Sequence, residues 1–213
     1  MTVNLNQLIL AIHSTDDHFG FAYRENNNNS SDKFFIKKFD KDLCNNLVAD
    51  LSKFFPKDNF KKVYRITVSI GPANFNASRM IVVLARNLSQ QINCSLDSFS
   101  CFQLMAKRIA LDNNLFEKNQ SFWIFKRIKR RGYIAGQYKI CIGEEITNNF
   151  FIKETIEPRI FKQLSNIQPT FEAVYDVKKD LEELLYLSNK NSQQSIYNSW
   201  DKVLPLYPLS PIN

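Results

Sequence analysis

Three short apolar runs come before the first helical stripe, and strand and helix patterns alternate after it. That order limits the possible folds more than any other feature of the chain. LILAIH (Leu8–His13) and FGFAYR (Phe19–Arg24) are separated by a short polar turn and read as a hairpin whose first strand is central. KFFIKKF (Lys33–Phe39) follows an Asn-rich connection as the third strand. Asp40 is placed to cap a helix carrying Leu43, Leu47, Val48, Leu51 and Phe54 or Phe55 at helical spacing, which ends before Pro56. VYRITVSI (Val63–Ile70) is the next strand, and Gly71-Pro72 breaks it. A helix then runs from Phe75 to about Gln91, with Met80, Val83, Leu84, Leu88 and Ile92 on one face. Asn93–Ser98 forms a short strand, and Ser100 caps a helix bearing Phe102, Leu104, Met105 and Ile109. An antiparallel opening that passes into β-α-β crossovers predicts an α/β fold with a mixed sheet and helices packed on it.

The second half begins again with strands. SFWIFKRI (Ser121–Ile128) and YIAGQYKICI (Tyr133–Ile142) flank KRRG, whose Gly132 suits a tight turn, and NFFIKETI follows. Asp176–Ser188 is an amphipathic helix, Ser192–Val203 is expected as another, and the Pro-rich end PLYPLSPIN is expected to lie extended. The chain therefore divides into two lobes, 1–112 and 113–213, with no internal repeat.

With 213 residues, 44% of them hydrophobic, there is enough apolar surface for two real cores. The formal charge of +7 favours an acidic partner such as RNA, although the cations are dispersed along the chain. Cys44, Cys94, Cys101 and Cys141 form no CxxC pair and read as small hydrophobes of a reducing compartment. No window reaches the length of apolar sequence that a membrane span requires, and no basic leader precedes an apolar core, so a cytoplasmic protein is expected.

Two motifs give the topology a family likeness. LILAIHSTDDHFGFAY resembles the opening ILALDTSTxxxSVAL of the TsaB/YeaZ proteins, which have the actin-like ATPase (ribonuclease H-like) fold. SIGPANFNASRMIVVLARNLSQQINCSLDSFSCFQLMA (Ser69–Ala106) is similar, without a gap, to that family's GxGPGSFTGLRIGxxxAxGLAxxxxxPxxxVSSLxxLA. Gly71, Pro72, Phe75, Arg79, Ala85, Leu88, Ser100, Phe102 and Ala106 fall on or beside its positions. KRRGYIAGQY resembles ARRGEVYAALY through Arg130, Arg131 and Gly132, and Pro205, Tyr207 and Pro211 resemble the closing PxYLRxP. The resemblance implies two lobes, each with a mixed sheet and packed helices. It also implies a noncatalytic scaffold that pairs with the catalytic subunit TsaD and, with the ATPase TsaE, installs N6-threonylcarbamoyladenosine at position 37 of tRNA. The family's working surface maps onto the helices at 41–55 and 75–92, where Leu43, Leu47, Val48, Leu51, Val82 and Val83 are the interface candidates for TsaD or for a homodimer.

The departures from the family pattern bear on chemistry. The family's strand-end Asp, which faces metal and phosphate in active relatives, is His13 here, and Mg²⁺ prefers hard oxygen ligands. His13 is expected as a polar strand-end residue with satisfied hydrogen bonds. In the loop Gly71, Pro72, Phe75 and Arg79 remain as a degenerate nucleotide-binding set, but Ala73 and Ala77 bring Cβ atoms to places where backbone N–H groups would approach a phosphate. Asn74 and Asn76 preserve the turn, and Asn76 is placed to cap the helix. Asp16 and Asp17 suit the first hairpin turn, and His13 and His18 do not make a metal pair, so neither a metal nor another cofactor is expected. Three readings stand side by side: the noncatalytic scaffold, an actin-like ATPase or phosphotransferase using Asp16, and a basic RNA-binding module of the same fold. For the last, Lys129, Arg130 and Arg131, with Trp123, Phe125 and Tyr133 interleaved nearby, are the candidates for direct or weak tRNA contact.

Overall fold

The computed structural model describes residues 7–25, 31–39, 43–142, 150–164 and 167–207, and the side chains at 43–45 are outside the description. The Asp40 cap, the Asn-rich turn, Cys44, the Leu43 side chain and the last residues of the Pro-rich end therefore lie outside the described residues. The first sheet is built from β1 (Leu8–Ser14), β2 (His18–Glu25), β3 (Lys33–Lys38), β4 (Val63–Ser69) and β5 (Ser95–Phe99), in the order β3-β2-β1-β4-β5. β1 pairs antiparallel with β2 and parallel with β4, so the hairpin opening passes into parallel crossovers as the sequence order requires. The crossovers are α1 (Leu43–Phe54) with the single turn α2 (Lys57–Phe60), and α3 (Phe75–Ile92). α4 (Cys101–Asp112) leads to a second sheet of order β8-β7-β6-β9, made of β6 (Ser121–Ile128), β7 (Gly132–Ile142), β8 (Phe150–Phe161) and β9 (Thr170–Glu172). α5 (Val177–Gln193) follows, and one 3-10 turn at Trp200–Lys202 comes after it.

These elements form two units that are not sequential halves. One comprises Met1–Phe99 with Asp176–Pro205, the other Ser100–Tyr175 with Leu206–Asn213. The division expected at residue 112 is thus moved, because α4 buries Phe102, Met105 and Ile109 in the core of the second sheet, while α5 returns to the first.

In the first unit, strand alternation sorts large and small residues onto opposite faces. Leu8, Leu10 and Ile12 of β1 and Phe19 and Phe21 of β2 enter a core with Leu47, Leu51 and Phe55, thick with edge-to-face rings such as Phe19–Phe21 and Phe55–Phe60 and stacked ones such as Phe21–Phe35. The other face offers Ala11, His13, Gly20 and Ala22, and α5 lies on it with Leu181, Leu184 and Leu185 fully buried. A Cβ on Gly20 would stand 2.8 Å from the Phe35 carbonyl oxygen and 2.9 Å from a Leu181 methyl, so the close approach of α5 requires the glycine.

α3 differs from its expected orientation. Its buried stripe is Ala77, Ser78, Ile81, Val82, Ala85 and Ser89, with Met80, Leu84 and Leu88 on the flank and Val83 outside. Small residues allow the helix backbone to approach the sheet, and the larger apolar side chains fill the margins. The helix expected over Ser192–Val203 is also absent: α5 ends at Gln193, Ser195 takes φ 56°, and the chain beyond runs against β5.

A buried carboxylate explains that path. Asp97 of β5 is wholly buried and accepts two bonds from the Arg65 guanidinium, at 2.8 and 2.9 Å, and others from Ser188 Oγ (2.6 Å), Asn191 Nδ2 (3.0 Å) and Asn198 Nδ2 (2.7 Å). Arg65 donates further to the Ile196 carbonyl, and Leu96 N–H to the Asn198 carbonyl. A helix continued through 196–198 would turn these groups inward on themselves and leave Arg65 and Asp97 underbonded. Asp97→Ala is expected to cost on the order of 3–5 kcal/mol in urea unfolding, because it strands a buried guanidinium. Hydrogen exchange should show the protection of 194–200 falling first.

Candidate functional site

The loop after β4 is organised by contacts to the first hairpin. Gly71 sits at φ 102°, a conformation that side chains rarely adopt, and reverses the chain before α3. Asn74, not Asn76, is the N-cap: its Oδ1 accepts from Ala77 N–H at 3.1 Å. Its backbone N–H donates to the Thr15 carbonyl at 3.3 Å and its Nδ2 to the Asp16 carbonyl at 3.4 Å. Ser14 N–H donates to Ser69 Oγ at 3.3 Å below. The first hairpin turn and the loop after β4 are thus bonded to one another, and an N–H of the first helical turn is engaged by Asn74. Phe75 is half exposed, and the Arg79 guanidinium lies over its ring at 5.3 Å in the first turns of α3.

His13 differs from expectation. It is fully buried, its Nε2 lies 3.3 Å from Asp180 Oδ2 of α5, and neither ring nitrogen has an aligned hydrogen bond among the described residues. The end of β1 thus carries a buried imidazole beside a carboxylate from α5. In the hairpin turn, Asp17 is held below the usual carboxylate range chiefly by its hydrogen bond with His18, whose Nδ1 is 2.9 Å away. No group of three His, Cys, Asp or Glu that could hold a metal occurs among the described residues.

The interface candidates separate into two sets. Leu47, Leu51 and Val82 belong to the core of the first unit, where strand–helix packing needs them, and so do not supply an open surface. Val48 and Val83 are 59% and 54% exposed and face a groove of about 490 Å³ between α1 and α3. Leu47, Met80 and Leu84 floor it, and Asn76, Arg79 and Asn87 edge it, with no carboxylate in its lining. The sequence marks Met80 as a helix residue and Arg79 as one of the degenerate nucleotide-binding set; their meeting across from Val48 needs the tertiary fold. Lys129, Arg130 and Arg131 stand exposed in the β6–β7 turn, where Arg130 takes φ 64° and Gly132 φ 96°.

One polar cluster has no counterpart in the sequence reading. In the second unit Ser100, which also caps α4, donates to Glu154 Oε2 at 2.5 Å, and Tyr138 OH donates to the same oxygen at 2.9 Å. Burial raises the Glu154 carboxyl above its ordinary value of 4.5 despite these donors, and burial with the adjacent carboxylate raises the Tyr138 phenol well above 10. The signal available was the alternation of NFFIKETI, which sets Glu154 on the same face as Ile152.

No protein-family model matches this chain, and no curated sequence matches it. Among solved structures, YeaZ from Pseudomonas aeruginosa is similar at 12% identity with a TM-score of 0.63, over 94% of this chain and 99% of that one. A second, described as an uncharacterized protein with similarity to peptidase YeaZ from Pseudomonas aeruginosa, has a TM-score of 0.67 at 12% identity, over 95% of this chain and 100% of that one. The chain has the YeaZ-like fold, with two mixed α/β units.

The Glu154 cluster gives a pH dependence of definite sign. A carboxyl whose folded pKa is raised contributes stability that is complete below its unfolded value and is lost as pH rises through the folded value. Glu154→Gln keeps an acceptor for Ser100 and Tyr138 and removes that loss. The variant is therefore expected to gain stability relative to the native chain on passing from acid to neutral pH, read by denaturant midpoints across the carboxylate range.

Proposed function

We propose that this chain is a noncatalytic, TsaB-like scaffold of the system that installs N6-threonylcarbamoyladenosine at position 37 of tRNA, acting in the cytoplasm. It pairs with a TsaD-type catalytic subunit through the α1–α3 groove and joins a TsaE-type ATPase in the assembled complex. The single observation that carries this reading is the groove itself. Two branched apolar side chains, Val48 and Val83, stand largely in water on facing helices beside Met80, on a fold shared nearly end to end with YeaZ. A noncatalytic role is supported by His13 at the family's carboxylate position, by the bonding of Asn74 to Thr15 and Asp16, and by the family motifs that persist around Gly71 and Arg79. A second copy of this chain could use the same apolar surface, which makes a homodimer the resting form in the absence of TsaD.

Val48→Asp with Val83→Asp tests the reading. Both side chains are exposed, so the double variant should keep its unfolding midpoint within about 0.5 kcal/mol of native, while co-elution with the cognate TsaD is lost at micromolar concentration. Separate elution of the native pair, together with normal tRNA modification in cells lacking this protein, refutes the scaffold. Saturable ATP binding that His13→Asp leaves unaltered would move the assignment to an actin-like ATPase.

A further inference from the structure

The second sheet has an outer face that the scaffold reading does not use. α4 packs with Phe122, Ile124, Tyr138 and Ile140, so the alternate residues of β6, β7 and β8 point away from that core. On that outer face are two edge-to-face aromatic pairs. Trp123 and Phe161 have centroids 5.5 Å apart at 87°, and Phe125 and Tyr133 5.8 Å apart at 77°. All four rings are only partly buried. In pairs set at right angles one ring turns its edge to the other, so the two rings do not cover each other face to face, and a further planar group can stack on a face left open.

The same face is cationic. Arg159 lies over the Phe161 ring at 5.3 Å, and Arg127 is opposite Tyr133 in the β6–β7 register. The β6–β7 turn then projects Lys129, Arg130 and Arg131, all exposed and none in an ion pair among the described residues. Glu172, opposite Phe125 in the β6–β9 register, is a carboxylate on this side, and Glu157 lies in the irregular stretch of β8 between the residues that pair with Ala135 and Gln137. An acidic peptide would engage the cations and leave the rings idle. A nucleic-acid duplex would do the same, since its bases are already stacked. Unpaired bases use both, with phosphates on the turn and bases on the rings.

We propose that this outer face of the second sheet binds single-stranded RNA, with Trp123, Phe125, Tyr133 and Phe161 as the stacking platform and Arg127 and Lys129–Arg131 as phosphate contacts. The inference does not depend on a TsaD partner or on the α1–α3 groove, and so stands or falls apart from them.

The test uses the full chain alone, by fluorescence anisotropy with a short labelled single-stranded RNA of mixed sequence, the same sequence as a blunt duplex, and oligoglutamate as competitor. Native protein should prefer the single strand over the duplex by tenfold or more. Lys129→Glu with Arg130→Glu and Arg131→Glu should weaken binding and flatten its salt dependence, and Tyr133→Ala should weaken it by roughly tenfold while leaving the salt dependence unchanged. The triple variant lies in an exposed turn, so its circular dichroism and melting temperature, compared with those of the native chain, distinguish lost binding from lost folding. Equal affinity for duplex and single strand, or no binding at tens of micromolar, overturns the proposal. So does displacement by oligoglutamate as effective as by unlabelled RNA, which would assign the face to an acidic protein instead.

Discussion

The first unit depends on one buried carboxylate. Asp97 lies in β5 with no access to water, and an ion in that position is tolerable only if its lone pairs are filled. β4 supplies Arg65, but one guanidinium leaves acceptor capacity over, and the remaining donors come from Ser188 and Asn191 on α5 and from Asn198 beyond it. The requirement fixes where α5 ends and where the following chain goes. It also holds α5 on the small-residue face of the sheet, where Gly20 and Ala22 have already cleared a path for it. A hydrophobic pair in the same place would bind α5 as firmly without specifying the position of its end; the polar cluster supplies direction.

How much of this was legible follows from the range of each interaction. Hydrophobic alternation and turn residues act over a few positions, so β1 to β5, the paired β6 and β7, and α3 to α5 were readable, as was the hairpin opening that leads into a mixed sheet. The division into units was not, because α4 and α5 are chosen by the faces they bury and not by their neighbours in sequence. The expected Ser192–Val203 helix failed for the same reason: its local pattern is helical, yet Asn198 has a better partner in Asp97 and Ser95 than in its own turn. Arg65 and Asp97 were read only as members of their strands; that they are partners follows from the parallel β4–β5 pairing.

The loop after β4 shows a subtler limit. Its resemblance to the family was carried by residue identity, while its behaviour is carried by hydrogen bonds. Asn74 rather than Asn76 caps α3, since the cap position is set by where the chain leaves the Gly71 turn. With Asn74 also bound to the hairpin carbonyls of Thr15 and Asp16, the departures from the glycine pattern become a consistent set of contacts instead of isolated losses. On α3 the sequence reading followed bulk and chose the large apolar residues as the buried face. Packing followed smallness and put Ala77, Ser78 and Ala85 against the sheet, which is how Val83 came to stand in the groove beside Val48.

The discontinuity of the first unit has a consequence for synthesis. Its sheet is translated early, but the helix that covers the Ala11, Gly20 and Ala22 face and the residues that bond Asp97 are translated after the Ser100–Tyr175 part of the second unit. A nascent chain therefore carries a half-covered sheet and an unsatisfied Arg65–Asp97 pair throughout that interval, while the second unit already has the residues it needs for its own core. The residues of the second core are complete in the chain before those of the first, and a premature stop anywhere before α5 leaves an exposed apolar face for chaperones and proteases to find.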